Sequence, residues 1–445
     1  MKLRWIIALT IAVVVLSWLA IIVVVRQINL RALERDRAVM VEAGLAMSWE
    51  EVDLPPEMDP AVEAIWEKWV AKGVNFDEPR ELKKWLAHPA DPIPEAVLIA
   101  VHTVDDDRSA VLRLLDTGAL RFGIRAQLAR LLREKADLSQ GIITTKAWIT
   151  VHALTQYLRC AACISAKPLP FLHRLDQLIG ATDQPLCLLD AMMRTSVVAV
   201  RDETWLDCIR LGTISEQQAT AWLDQNTDPL PDAASAWMGE RLFSTPIFES
   251  FLDSASTKSG WASTSSASAT WWERTSAAIS LFLPTTQWQW AVFPAGVVYN
   301  QWFIANNENI ARQHKPLPAT SGIGGAGSIA AMAVPNLVNC YIVWIESGNT
   351  ARIKRAAARV LFATQRGQSV PMDAAEFSAR FGSDILAAEP GRLALLYTRL
   401  SDGGFSLAAD LSGPPTLFGM PRRDNSLAFT AAEISTIAAR SGPQP

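Results

Sequence analysis

WIIALTIAVVVLSWLAIIVVV, residues Trp5–Val25, is the stretch whose reading decides the architecture. The run carries no charge, and Thr10 and Ser17 are its only hydroxyl side chains. At a rise of ~1.5 Å per residue, a helix of ~20 apolar residues covers the ~30 Å hydrocarbon core of a bilayer. The segment must be helical there, because lipid offers no partner to a free N–H or C=O. A cleaved leader has a shorter apolar core followed by a small-residue cleavage site. No A-x-A lies near the end of this run, and Arg26 follows directly. The expectation is an uncleaved anchor over residues 1–26, with Trp5 and Trp18 placed for the membrane interfaces.

The flanks bear on orientation. Lys2 and Arg4 precede the span; Arg26, Arg31, Arg35 and Arg37 follow it. Positive charge is enriched on the side that stays behind, so this tally does not favour export of the C-terminal side. Residues 27–56 continue the anchor as a charged juxtamembrane stalk, with Leu30, Leu33 and Met40 on one stripe and Glu34 placed to pair with Arg31 and Arg37. Gly44 and Leu54-Pro55-Pro56 end it.

Composition bounds the remainder. A chain of 445 residues, 50% hydrophobic, has ample material for two or three cores beyond the anchor. A net charge of −4, without a long basic run, argues against nucleic acid as a partner. The 17 tryptophans are spread along the chain and read as core and helix-packing residues. Five cysteines, Cys160, Cys163, Cys187, Cys208 and Cys340, leave an odd count. Apart from Cys208 they have mainly apolar neighbours, so they read as buried thiols.

Residues 57–252 read as a helical body. Ile124, Leu128, Leu131 and Leu132 recur at i, i+4, i+7, i+8; Trp148, Val151, Leu154 and Leu158 form a looser stripe. Ser215 and Gln218 make a capping box, with Ile214 and Ala219 as its staple, opening a helix that carries Trp222 and Leu223. Prolines divide the region into helices of ordinary length, and stacked antiparallel helices are expected. Residues 253–285 form a Ser/Thr/Ala-rich linker. Residues 286–347 are a helical and Gly-rich continuation, chopped by Pro294, Pro316, Pro318 and Pro335. Their apolar runs are too short to span, so a second membrane helix is not favoured.

The final unit is residues 348–445. A helix over 349–367 is expected to carry Arg352, Arg355 and Arg359 on a solvated face and to end at Gly367. Asp373 and Glu376 cap a second helix. RLALLYTRL and FSLAADL flank Ser401-Asp-Gly-Gly404 as a β-hairpin, and 430–440 is a last helix.

Four constellations suggest sharper chemistry, and each has a plainer reading. Gly322, Gly324 and Gly327 fit G-x-G-x-x-G, with Glu346 beyond them. A dinucleotide fold needs a strand just before the first glycine, and HKPLPATS cannot be a central strand. Cys160 and Cys163 fit C-x-x-C but sit deep in a helical pattern, not at a helix N-terminus where a thiolate is favoured; zinc needs two further ligands, with His152 or His173 to be recruited. The histidines, His88, His102, His152, His173 and His314, form no metal pair, and no G-x-S-x-G elbow occurs. Asp105, Asp106 and Asp107 read as the acidic start of the helix containing Val111–Leu115, and Glu50, Glu51 and Asp53 as a solvated turn. No catalytic, cofactor-binding or metal-binding residue is assigned.

One resemblance spans most of the chain. Residues 211–226 (LGTISEQQATAWLDQN), 239–251, 294–312 (PAGVVYNQWFIANNENIAR), 334–340, 350–371 (TARIKRAAARVLFATQRGQSVP) and the hairpin together resemble bacterial envelope proteins with an N-terminal anchor, a helical body and a degenerate pseudopilin-like tail. Arg366, Gly367 and Pro371 match the turn after the tail helix. The D-P-x-x-G turn and the acidic calcium loop of secretion pseudopilins are not recognisable, so no calcium site is carried over. The resemblance implies a single-pass protein of the cytoplasmic membrane with its bulk on the periplasmic side. Large domains translocate despite nearby charge.

The fold expected is therefore mainly α: one N-terminal transmembrane helix, a multi-helix body, and a small α+β tail with a β-hairpin. Its partners are the membrane, through Trp5–Val25, and other proteins. A non-enzymatic structural or interaction role is the first expectation. A secretion-associated component and a hydrolase with a dispersed site are the alternatives.

Overall fold

The computed structural model describes residues 2–52, 58–72, 76, 79–87, 89, 91–103, 106–120, 145–181, 188–224, 233–253, 284–312, 334–388, 393–410 and 426–440. Helices are numbered over these residues. The chain is mainly helical, with one small antiparallel sheet near its C-terminus.

α1 runs unbroken from Lys2 to Glu42. Among the described residues it is the one helix long and apolar enough to cross a membrane. Val13, Val14, Val15, Leu16, Leu19, Val23 and Val24 are all exposed on it, as a lipid-facing helix requires. From Ile22 onward the pattern changes. Ile22, Val25, Asn29, Ala32, Leu33, Asp36 and Met40 are buried, at the three- and four-residue spacing of one helix face. The helix closes at Gly44 (φ 72°), where Leu45 N donates to Met40 O and Gly44 N to Val41 O, the two bonds of a Schellman cap.

The buried face lies along α11, Pro284–Ala311. Ile22 and Val25 pack on Ala291 and Val292, Ala32 and Leu33 on Val297 and Val298, and Met40 and Leu45 on Ala305. The residue pairs rise together, so the two helices run parallel. α10, Ala233–Asp253, packs on α11 in the opposite direction. Trp237 meets Phe303 edge-on at 5.9 Å, Arg241 pairs with Glu308 at 2.9 Å, and Gln301 donates to Thr245 at 3.1 Å. The stretch after the span thus keeps one helix face, through Asn29, Ala32, Leu33, Asp36 and Met40, in the interior as far as Met40. The sequence stripe of Leu30, Leu33 and Met40 missed this because Asn29 and Asp36, two polar residues, belong to the same buried face.

Pro294 and Pro335 do not chop the later region as expected; Pro316 and Pro318 lie outside the described residues. Pro294 lies inside the continuous α11. Pro335 is the second residue of α12, Val334–Gln365, where no donor is needed. At Pro294 the missing N–H frees the carbonyl four residues back. That carbonyl, of Trp290, accepts from Arg26 Nη1 at 2.8 Å. Asn29 Nδ2 donates to the next carbonyl, of Ala291, at 3.0 Å.

The body comprises α2 (Pro60–Ala71), α3 (Arg80–Ala87), α4 (Glu95–His102), α5 (Asp106–Asp116), α6 (Thr145–Ile164), α7 (Leu169–Ala181), α8 (Leu188–Arg210) and α9 (Glu216–Leu223). α6 packs on α7 and α8, and α8 packs along α12. Trp148, Val151, Leu154 and Leu158 are all buried, as their spacing predicts. The box at α9 forms, with Ser215 N donating to Gln218 Oε1 at 2.9 Å, and its staple residues Ile214 and Ala219 are buried.

After α12, Gly367 (φ 79°) ends the helix, and Asp373 caps α13, Ala374–Phe381. β1 (Leu395–Arg399) and β2 (Phe405–Ala409) form the hairpin. A third strand that the sequence reading lacked, β3 (Ser426–Phe429), pairs antiparallel with β2. α14, Ala431–Arg440, follows. The tail is no separate layer. Ile353, Ala356–Ala358 and Val360–Phe362 share one core with Leu158, Ile209 and Trp222, which reaches Phe405, Phe429 and Ile437. A boundary at 348 falls inside α12.

The arginine face of α12 is the clearest departure from expectation. Arg352 donates to the carbonyls of Leu393, Ile385 and Ala387. Arg355 is buried, 3.7 Å from Asp202. Arg359 donates to Leu223 O and Asp224. These three arginines fasten the tail and α9 to α12.

Candidate functional site

α8 reads RDETWLDCIR at its C-terminal end. Glu203, Asp207 and Arg210 stand at i, i+4 and i+7, on one face of the helix. α6 brings Arg159 against that face. α14 closes the far side, held by Ile434 and Ile437 in the core. The result is a cleft of about 1010 Å³, whose lining includes Leu86 of α3, Pro89 just after it, Phe429 at the end of β3, and Arg440.

Local chemistry holds α14 in place. Gly212 (φ 73°) ends α8, and a Cβ there would stand 3.2 Å from the carbonyl of Arg440. Arg440 Nη1 donates to Arg210 O at 3.4 Å. Arg210 lies 4.7 Å from the Phe429 ring centre, a cation–π contact that ties α8 to the sheet.

The floor carries two carboxylates with opposite acidities. Asp207 is buried and accepts from Arg159 Nη2 at 2.9 Å and Arg210 Nη1 at 3.4 Å. Burial nevertheless dominates and pushes its pKa up to about 6, with the nearby Glu203 charge adding to the rise. Burial also works to raise Glu203, but the Lys354 ammonium at 2.6 Å outweighs it and holds that carboxyl below its ordinary value. The lining sets Lys83, Arg159, Arg210 and Arg440 against Asp91, Glu203, Asp207 and Glu433. Signs balance, and Leu86, Pro89, Phe429 and Ile437 supply an apolar wall. Such a surface suits a polypeptide segment better than a polyanion.

A second polar cluster is largely internal, with Asp176 partly exposed. Asp202 accepts from Arg201 Nε and from Trp222 Nε1, each at 2.8 Å. Arg201 also reaches Asp176 on α7 at 3.0 Å. Trp205 and Trp222 stack at 5.5 Å, 6° apart. This cluster joins α7, α8, α9 and α12.

The residues singled out by motif do not assemble. Cys160 and Cys163 lie in the last turns of α6, buried, with Cys208 of α8 beside them. Contact with Cys208 and burial push the Cys163 thiol well above its usual range, the opposite of an activated thiolate. His102, His152 and His173 are exposed, and none lines the cleft. The cleft lining holds no serine, cysteine or histidine among the described residues. Among the same residues no group of three or more His, Cys, Asp or Glu is placed to hold a metal. Asp107 pairs with Lys68 of α2 and with Lys72 just after it, and α5 starts at Asp106 as expected. Glu51 caps its own turn, accepting from Met47 N and Ser48 Oγ. His88, His314, Cys187, Asp53, Asp105, Gly322–Gly327 and the stripe from Ile124 to Leu132 lie outside the described residues, as does the linker at 254–283.

Sequence reasoning missed the cleft. The signal was present in α8, where four acids and three arginines interrupt a helix that is otherwise apolar on most of its faces. Charges placed that way need partners from elsewhere in the fold. Comparison of the chain with family models, with curated proteins and with solved structures finds no match.

Proposed function

We propose that this chain is a membrane-anchored, non-enzymatic interaction protein of the bacterial envelope. Trp5–Val25 crosses the cytoplasmic membrane, and the body stands on the periplasmic side and receives a protein partner in the cleft between α8 and α14. One observation carries the reading: the anchor helix does not stop at the membrane but is built into the α10–α11 pair through Asn29, Ala32, Leu33 and Met40. A body fused to its anchor in this way is held at a set height and orientation. That is what a scaffold needs and what a soluble enzyme on a tether does not. The cleft supports it too. Asp207 and Glu203 are each paired with cations of neighbouring helices, an arrangement that holds the helices together around the cleft.

Two experiments test this. A photo-crosslinking residue at Thr436, in the cleft, should capture a discrete protein partner in intact cells. The adduct should vanish with Arg210→Glu, and the same residue at exposed Ile99 should give none; equal capture at both positions contradicts the reading. Ile99→Cys should react with a membrane-impermeant maleimide once the outer membrane is permeabilised, and protection there overturns the periplasmic placement.

A secretion-associated role is favoured by one feature, the long α12 followed by the β1–β2 hairpin, the order that the pseudopilin resemblance implies. Unchanged export in a deletion strain would count against it.

A further inference from the structure

α11 begins deeper than a helix of the aqueous body should. Trp288 stands 6.3 Å, ring centre to ring centre, from Trp18, and Trp18 lies eight residues before Arg26, or ~12 Å along the helix axis. The parallel course of the two helices carries Pro284, the first residue of α11, further still toward the N-terminal end of the span. Around this level α1 exposes Leu19, Ile21, Val23 and Val24. No residue of α11 before Glu308 is charged.

The polar contacts fit the same depth. Pro294 strips the Trp290 carbonyl of its helical donor, and Arg26 supplies a replacement while its guanidinium covers the Trp290 ring at 4.0 Å. In water a freed carbonyl is solvated at no cost. In a lipid leaflet it needs an internal partner, and helices that carry proline there draw one from a neighbouring helix. Tryptophan and arginine together are also the pair that membrane boundaries collect.

We infer that the N-terminal turns of α11, up to Trp290, are embedded in the same lipid leaflet as the C-terminal end of Trp5–Val25. Trp18, Trp288 and Trp290 form a cluster within that leaflet, on the membrane side of Arg26, whose partner is the phospholipid bilayer itself. The protein is thereby attached at two places, the helix that crosses and the start of α11 beside it. This rests on the membrane-anchored reading of α1.

The test uses the full chain in phosphatidylcholine–phosphatidylglycerol nanodiscs, with Cys187 and Cys340 replaced by serine. An environment-sensitive fluorophore is placed singly at Leu19→Cys, Gln289→Cys and Tyr299→Cys, and lipids spin-labelled on the acyl chain serve as quenchers. Leu19→Cys and Gln289→Cys should both be quenched several-fold more than Tyr299→Cys, which sits ten residues further along α11. Quenching at Leu19→Cys without quenching at Gln289→Cys overturns the inference and leaves the anchor intact. Absence of quenching at Leu19→Cys overturns the anchor, and the inference with it.

Discussion

Arg26 serves Trp290 twice: it donates to the carbonyl at 2.8 Å and lies 4.0 Å over the ring. The pairing exists because Pro294 cannot donate to that carbonyl. Arg26→Ala should therefore lower stability by about 2 kcal/mol, the sum of a charged hydrogen bond and a cation–π contact. Pro294→Ala restores the helical donor, so the same arginine substitution in that background should cost about 1 kcal/mol less. Denaturant unfolding in detergent, followed by tryptophan fluorescence, measures both. Equal losses in the two backgrounds would show that the freed carbonyl is not what holds Arg26.

Asp202 is the hub of the internal cluster. Burial pulls the Arg355 guanidinium down to about 10, with Asp202 opposing the fall. Asp202→Ala removes the acceptor of both Arg201 and Trp222 and leaves buried positive charge, which should cost about 3–5 kcal/mol. Asp202→Asn keeps an acceptor for Trp222 and should cost less. A loss below about 1 kcal/mol for the alanine variant in thermal unfolding would contradict the network.

Glu240 on α10 accepts the N–H of Leu188, the first residue of α8, at 3.3 Å. Burial pushes its carboxyl up to about 7, and the single backbone bond only partly opposes this. In the unfolded chain the group loses its proton near 4.5. Between those values the folded protein holds the extra proton, so stability falls as pH rises through the window and is flat above it. Glu240→Gln keeps the acceptor and cannot titrate. It should abolish a decline of about 3 kcal/mol between acid and neutral pH. Parallel pH profiles for the two proteins would refute the assignment.

Gly404 is required by β3. A Cβ there would overlap the carbonyl of Phe429, with the Thr430 Cα close behind. Gly404→Ala should cost about 2–3 kcal/mol by forcing β3 off β2. The amides of Ser426–Phe429 should lose hydrogen-exchange protection while those of β1 keep theirs. Unchanged protection in β3 would mean that the pairing is not the one described.

Local features were readable because their causes lie within a few residues. The Ser215 box, the Gly367 and Asp373 caps, the Trp148–Leu158 stripe and the hairpin around Gly403 each rest on neighbours in the chain. What escaped was set by partners far away. Arg352, Arg355 and Arg359 look solvated from their own helix; only the crossing of α8 and the carbonyls of Ile385, Ala387 and Leu393 reveal what covers them. Asn29 and Asp36 broke an apolar stripe that was nonetheless interior, because the carbonyl awaiting Asn29 belongs to Ala291. Pro294 looked like a break, since the side chain that compensates for it is Arg26. The cleft depends on α6, α8 and α14 meeting, and no spacing in any one of them encodes that.

The most direct measurement is thiol labelling at two adjacent positions of α1, Arg31→Cys and Ala32→Cys, in carbonate-washed membranes. Arg31 is exposed and Ala32 is buried against Val297 and Val298. An anchor built into the body predicts that the protein stays in the membrane fraction and that Ala32→Cys reacts about tenfold more slowly, or slower still, than Arg31→Cys. The difference should vanish on denaturation. Equal reaction of the two positions in the folded protein would mean a free stalk, and would contradict the account.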